Sequence, residues 1–521
     1  MLWGDALFLR TFAPEMNVTS IANTILSRRR RAMEAFDTHA EELQMKVLGR
    51  LTQRAAHTEW GSAHGYAGVR TYDDFARSGP VETYDTLKSH IERMRHGERD
   101  VLWPGRVRWY AKSSGTTNDK SKFIPVSPDA LRDTHYAGGR DSVATYLAHR
   151  PHSRVLDGKG LILGGSHAPN YNLRHSLVGD LSAILIENLN PLVNYVRVPS
   201  KRTALLPDFE VKRERIAREA IGRNVASISG VPSWLLAVLH RVLELTGCAT
   251  LDEVWPNLEV FWHGGVAFTP YREQYRRIIR RPDMCYQETY NASEGFFGLQ
   301  NDLSDRAMLL LIDFGVFFEF IPLDELESEH PTVLPLWGVE TGRNYAMVIS
   351  TSSGLWRYLI GDTVRFTQRN PYKFVITGRT KSFINAFGEE LIVDNAEHAL
   401  AHACAATGAE IHEYTAAPVF MDGEAHCRHQ WLIEFTRPPA DIDAFATALD
   451  QELQRQNSDY EAKRAKDITL QRPEVIVARR GLFTEWLARQ GKLGGQHKVP
   501  RLNNSRRHID ELLALQTHTR T

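Results

Sequence analysis

Between about residues 105 and 300, short apolar runs of strand character alternate with stretches of helical period, and this alternation leaves few folds open. The runs cover 107–112, 160–163, 225–229, 258–262 and 284–289. Helices are predicted after Ser127-Pro128, where proline suits a first turn, and over 231–246, closed by Gly247. Strand, helix and strand in repeated succession predict an α/β core with a largely parallel sheet. Such sheets bind ligands beyond the carboxyl ends of their strands. Three strand ends here carry candidate chemistry: Lys112-Ser113-Ser114-Gly115, Trp262-His263-Gly264-Gly265 and Thr289-Tyr290-Asn291-Ala292-Ser293-Glu294-Gly295.

The flanks read differently. From about 17 to 95 a polar chain repeats apolar residues near helical spacing (Ile21, Ile25, Met33, Phe36, Leu43, Val47, Leu51), predicting an N-terminal helical wrap. Arg28 to Arg31 fall in it and read as a solvated helix face. From about 306 to 377 the chain is strand-rich, with runs at 308–313, 316–321, 345–350, 356–359 and 363–367 that suggest an antiparallel or barrel-like layer. After Gly378 helices and strands alternate again. The Gly-Arg-Thr-Lys connection at 378–381 has hinge-like composition. With 521 residues, more than one hydrophobic core is needed. The expected fold class is α/β, with a large N-terminal domain over 1–377 and a small mobile α+β domain over 378–521.

Charge narrows the function. Lys plus Arg and Asp plus Glu number 63 each, so no global field recruits nucleic acid or an anionic membrane, and neither partner is expected. Cys248, Cys285, Cys404 and Cys427 are scattered without zinc spacing, which predicts free buried thiols in a reducing, cytoplasmic setting. No run approaches the roughly eighteen apolar residues of a transmembrane helix. The apolar first fifteen residues lack a basic leader and a small-residue cleavage site, so no signal peptide is expected, and Met16 is a second candidate start. A monomer is expected.

The segment from Tyr110 to Pro125 is the richest in chemistry. Ser113, Ser114, Gly115, Thr116 and Thr117 supply hydroxyls and backbone N–H groups, Gly115 permits dihedrals closed to other residues, and Lys120 and Lys122 add charge. That composition suits polyphosphate; a solvated turn is the competing reading. It is not the P-loop of ordinary ATPases, which needs a second glycine before its lysine where this chain has Gly115-Thr-Thr-Asn-Asp-Lys120. Tyr290 to Glu294 offer a stacking ring and a carboxylate for Mg²⁺, or a charged turn. Asp362 follows Gly361 at the end of an apolar strand and can accept from both ribose hydroxyls, although Gly-Asp is also a common turn. The glycine-containing basic segment 491–501, with Lys498, reads as a functional loop or a basic tail.

Order and type together decide. Ser-Ser-Gly-Thr-Thr, Tyr-x-x-Ser-Glu, Gly361-Asp362, Gly378-Arg379 and a late Lys498 resemble the adenylate-forming superfamily of acyl-CoA synthetases, peptide-synthetase adenylation domains and luciferases. Within it, Lys112-Ser-Ser-Gly-Thr-Thr with Phe123-Ile-Pro125, Trp262-His-Gly-Gly-Val266, Tyr290-Asn-Ala-Ser-Glu294, Asn457-Ser-Asp-Tyr460 and Gln496-His-Lys-Val-Pro-Arg501 look like the auxin-responsive acyl-acid amido synthetases of plants and their bacterial relatives, from about residue 20 to 502. Two departures stand out. Asn118-Asp119 precede Lys120, which turns attention from Lys120 to Lys498, and Trp356-Arg-Tyr-Leu-Ile-Gly-Asp362 replaces the branch's usual Tyr-Arg-Val-Gly-Asp.

The resemblance implies that Ser113 to Thr117 embrace the β- and γ-phosphates of ATP, Tyr290, Asn291, Ala292 and Ser293 flank the adenine, and Glu294 holds Mg²⁺. It further implies that Asp362 binds the ribose, Arg379 sits beside it near the hinge, and Lys498 neutralises charge at the α-phosphate. A small carboxylic acid would be adenylated and passed to an amino acid, the second domain turning at 378–381 between the steps. The acyl pocket is expected between the helix after Ser127 and the segment 262–268, lined by His263, Val266 and Phe268. Segments 412–417 and 431–435 face the amine site or are plain sheet packing. A coenzyme A ligase using the same adenylate, or a nucleotide- or acid-binding protein without turnover, are the alternatives.

Overall fold

The computed structural model describes residues 18–113, 122–265, 268, 271–326, 328–380, 383–384, 386, 389, 391–419, 427–457, 460–461, 464, 470–490 and 499–518. They form two compact units. The first takes the described residues of Met1–Ile360 and Arg365–Val375, and the second those of Gly361–Val364, Ile376–Leu493 and His497–Thr521.

In the first unit, strands β1 (Trp109–Ser113) and β2 (Lys122–Val126) form an antiparallel pair, and β4 (Leu177–Gly179) runs parallel to β1. A larger sheet begins with β3 (Lys159–Ile162), β5 (Arg197–Val198), β6 (Val225–Gly230), β7 (Val260–His263) and β8 (Cys285–Ala292), all parallel in the order β5-β3-β6-β7-β8. A hairpin from β8 into β9 (Gly295–Leu299) reverses direction. The sheet goes on through β10 (Met308–Leu310), β15 (Tyr372–Arg379), β14 (Tyr358–Arg369), β13 (Asn344–Thr351), β11 (Val316–Pro322) and β12 (Leu334–Pro335). One mixed sheet therefore carries both the parallel core and the antiparallel layer.

Local chemistry explains the elements that position the site. Ser127 caps the helical stretch after β2 by accepting from Ala130 N at 2.9 Å, with Pro128 in the first turn. That stretch continues as a five-residue π-helical turn, Leu131–His135, and then the helix Tyr136–His149. The helix Pro232–Thr246 ends at Gly247 as expected. Phe261, Phe268, Tyr275 and Tyr286 stack among Leu235, Val238 and Leu239 to fill the core on one side of the parallel strands. At roughly 1.5–3 kcal/mol per buried large apolar side chain, clusters like this supply most of the driving force.

Several expected boundaries change. The runs at 356–359 and 363–367 belong to one strand, β14, which starts only after Arg357, a residue at φ 43°. The run 308–313 is strand only to Leu310, although Leu311 N still donates to Phe297 O at 2.9 Å; past it Gln44, fully buried on the helix Ala40–Ala55, donates from Nε2 to Ile312 O at 2.7 Å and accepts at Oε1 from Phe318 N at 2.9 Å. Arg29 is no solvated residue. Its guanidinium lies against Asp141 and Asp313, and those carboxylates tie the N-terminal helix to the core. All four cysteines are free, but only Cys285 is buried, the others being half-buried.

The second unit carries a three-stranded sheet, β18 (Glu410–Val419), β19 (Arg428–Arg437) and β20 (Glu474–Ala478), after two short strands, β16 (Phe383–Ile384) and β17 (Leu391–Ile392). Period-two alternation sorts its side chains. Tyr414, Ala416, Trp431, Ile433 and Phe435 pack into one core with Leu400 and Phe445, and Ala417 and Leu432 into another with Phe483 and Leu512. Within 412–417 and 431–435 these residues are held in sheet packing, while His412 is exposed. Among the described residues no helix is long and apolar enough to cross a membrane.

Candidate functional site

In the first unit, candidate residues gather at strand ends. β1 stops at Ser113, opposite Lys122 of β2, so the Ser/Gly/Thr loop joins two antiparallel strands. Ser113 is half-buried; Ser114, Gly115, Thr116 and Thr117 lie outside the described residues, as do Val266 and Lys498. At the loop's base Lys112 Nζ sits 4.4 Å over the Tyr171 ring, and Lys122 Nζ lies 5.7 Å over the Tyr84 ring and 3.5 Å from the Tyr358 hydroxyl. Both ammonium groups are held beside aromatic rings, an arrangement that keeps positive charge at the mouth of the loop.

β7 ends on His263, followed by Gly264. A Cβ there would stand 2.2 Å from Thr289 O, so only glycine lets the turn approach β8 this closely. Thr289 Oγ1 donates to His263 O at 3.1 Å across the same gap. His263 and Phe268 are both buried and stack at 4.2 Å. Burial, then the charge of Arg272, pushes the imidazole down to about 3, so it is neutral at physiological pH.

β8 carries the next group further than sequence suggests. Tyr290, Asn291 and Ala292 are part of the strand, and Ser293 and Glu294 make the two-residue turn into β9. Tyr290 is buried edge-on to Phe297 at 5.0 Å. Asn291 Oδ1 accepts from His135 Nδ1 at 2.8 Å, and Glu294 is 8 % exposed at the hairpin tip. Glu288, level with His263 in the strand register, is pushed up to about 7 by burial, partly offset by Arg306 and Arg272.

In the second unit the Gly-Asp pair is no strand end. Gly361, at φ 93°, and Asp362 sit inside β14, so the glycine bends a continuing strand where local composition suggests a turn. Arg379 closes β15, and its Nε donates to Asp362 Oδ1 at 3.0 Å; Asp362 is 7 % exposed. Thr380 N donates to Gly361 O at 2.9 Å, pinning the same corner. The residues after position 498 are anchored too. Val499 is buried, Thr415 Oγ1 donates to Pro500 O at 2.6 Å, and Arg501 pairs with Glu413 and lies 4.6 Å over the Tyr414 ring.

Sequence reasoning missed three groups. His135 and Glu288 looked like ordinary helix and strand residues. Lys212 is buried with its Nζ donating to Gly164 O, Gly165 O and Ser166 Oγ at 3.2, 3.0 and 2.9 Å, while Asp180 accepts from Ser166 N at 2.8 Å. The Gly164-Gly165-Ser166 turn after β3 was the available signal, since it repeats the glycine-and-hydroxyl strand ends already singled out.

Comparison with known proteins matches the chain, in order, to the GH3 family N-terminal domain at residues 29–284, its central domain at 309–379 and its C-terminal domain at 394–507. Indole-3-acetic acid-amido synthetase GH3.8 of Oryza sativa subsp. indica is 24 % identical, covering 90 % of this chain and 89 % of the relative. The GH3.3 enzyme of Arabidopsis thaliana, of the same description, is 23 % identical over 90 % of this chain and 91 % of its own. Among solved structures, the GH3.15 acyl acid amido synthetase in complex with 2,4-DB superposes with TM-score 0.76 at 18 % identity, covering 94 % of this chain and 96 % of that one. A 2-hydroxyisobutyryl-CoA ligase shares the fold at TM-score 0.55 and 12 % identity, over 91 % of each chain.

Proposed function

The chain belongs to the GH3 family, and from that premise we propose that it is an AMP-forming ligase that adenylates a small carboxylic acid with ATP and transfers the acyl group to an amino acid. The observation that carries this reading is the likeness to amido synthetases along nearly the whole of both chains. The residues present suit the chemistry. A carboxylate is a poor acyl donor; attack on the α-phosphorus of ATP joins its oxygen to AMP and expels pyrophosphate. The amine then attacks the acyl carbon, and AMP leaves as the amide forms.

In this reading Ser113 to Thr117 hold the β- and γ-phosphates, with Lys112 and Lys122 adding charge at the loop's base, and Tyr290 to Ser293 flank the adenine. Asp362, its Oδ1 steadied by Arg379, accepts from the ribose hydroxyls. Lys498 brings an ammonium to the α-phosphate, and His263, Val266 and Phe268 line the acyl pocket. The neutral His263 suits an apolar wall, because it brings no charge into it. Glu294 fits Mg²⁺ by its chemistry: it is a hard oxygen ligand at the hairpin tip, and magnesium is commonly held by one or two carboxylates together with substrate phosphates. When bound, Mg²⁺ would supply charge to the pyrophosphate oxygens. The remaining stabilisation comes from preorganised N–H, hydroxyl and ammonium donors.

The test is a matrix of carboxylic acids against amino acids, with a coenzyme A arm, scored by product mass and AMP release. Amide with stoichiometric AMP is expected for at least one pair. AMP alone from every pair, or thioester without amide, would overturn the acceptor assignment, and ATP binding without pyrophosphate exchange would overturn the ligase.

A further inference from the structure

His135 ends the π-helical turn Leu131–His135 and is 3 % exposed. Its Nδ1 lies 2.8 Å from Asn291 Oδ1, while its Nε2 is enclosed and has no hydrogen-bond partner. An amide oxygen only accepts, so Nδ1 carries the hydrogen. Burial keeps the ring neutral by pushing its pKa down to about 4, which leaves Nε2 as a bare lone pair. The opposite amide orientation would make Asn291 the donor to Nδ1 and put an unaccepted N–H at Nε2. Buried N–H groups without acceptors are rarer than under-used acceptors, so the orientation with Oδ1 toward His135 is favoured.

That choice has a consequence on the other side of the amide. With Oδ1 engaged, Asn291 presents Nδ2 as a donor, and none of the described residues accepts from it. Asn291 lies between Tyr290 and the Ser293-Glu294 turn, in the segment read above as nucleotide-binding. The π turn matters here, because each helical residue advances by about 100°, and the extra residue of such a turn rotates the side chains that follow relative to those before it.

We propose that His135 is a positioning residue that fixes the Asn291 amide with its Nδ2 turned out as a hydrogen-bond donor to an acceptor atom of the bound nucleotide. The proposal rests on the adenylating reading, and its test separates the two. His135→Leu removes the Nδ1 donor, and His135→Asn returns an N–H at the same place. Each is made in the native and the Asn291→Ala backgrounds, and ATP affinity by calorimetry and pyrophosphate exchange are both measured. His135→Leu is expected to weaken ATP binding about tenfold in the native background, the worth of one directed hydrogen bond, and less than twofold with Asn291→Ala. His135→Asn should stay within about threefold of native.

Equal losses in both backgrounds, or His135→Asn behaving like His135→Leu, would overturn the proposal, since a merely structural histidine acts without regard to Asn291. Should His135→Leu fail to fold, the two single variants decide: Asn291→Ala binding ATP as tightly as native, or His135→Asn weakening it about tenfold, refutes the assignment. A native protein that binds ATP without exchange refutes the ligase reading and leaves the calorimetric coupling as the measure of His135.

Discussion

Replacing Arg357 by alanine should cost the first unit about 3–5 kcal/mol, the penalty for leaving a buried charge without its partner. Arg357 Nε and Nη2 donate to the two carboxylate oxygens of Glu319 at 3.1 and 2.8 Å, and the side chains are 8 % and 0 % exposed. The same guanidinium donates through Nη1 to Ala76 O and Gly79 O at 2.8 and 2.5 Å, joining the N-terminal wrap to the sheet. After truncation Glu319 keeps, among the described residues, the Tyr72 hydroxyl at 3.1 Å. Removing both charges with Arg357→Met and Glu319→Leu should recover at least half of the loss, because the single hydrogen of the Tyr72 hydroxyl is then free to go to Val333 O, 3.1 Å away, and no ion remains buried. Arg357→Gly should be less harmful than alanine by about 1 kcal/mol, as glycine relieves the φ of 43°. Urea titration followed by tryptophan fluorescence reads the series, since Trp356 adjoins the site. A loss below about 1 kcal/mol for Arg357→Ala, or a double variant worse than the single, would refute the argument that an unpaired buried carboxylate sets the cost.

Three further outcomes are expected. Asp362→Asn, which keeps shape and removes the charge that Arg379 faces, should raise the KM for ATP about tenfold in pyrophosphate exchange; an unchanged KM would remove Asp362 from ribose binding. Lys498→Ala should lower exchange by roughly 10²- to 10³-fold with ATP binding mostly kept, and normal exchange in that variant would return the charge-neutralising role to another residue. Lys212 carries a pH signature: burial, only partly offset by Asp180, pushes its ammonium down to about 8, so between that pH and about 10.5 the unfolded chain holds a proton that the folded one does not. Stability from this group should therefore rise with pH across that window, by about 3 kcal/mol, and Lys212→Met should flatten the rise when the two stability curves are subtracted. Parallel curves for the two proteins would show that Lys212 stays charged throughout.

What the sequence makes legible is what neighbours in the chain decide together. The helix Pro232–Thr246 and the strand ends at Ser113 and His263 were readable because serine, glycine and proline announce caps and turns within a few residues. Gly361-Asp362 was misjudged for the same reason, since a glycine at positive φ inside a long strand has the local composition of a turn. The groups that orient these motifs were not legible at all. Gln44 satisfies backbone at Ile312 and Phe318, Arg29 spans to Asp141 and Asp313, and His135 meets Asn291 from 156 residues away, each from a segment whose own pattern is that of an ordinary helix. A buried polar side chain must find a partner wherever the fold supplies one, and nothing in its own neighbourhood encodes where. The reacting groups of a ligase of this kind can thus be local motifs while their aim depends on distant single residues. Exchange of such a partner should consequently change affinity or rate without altering any motif by which the chain is recognised.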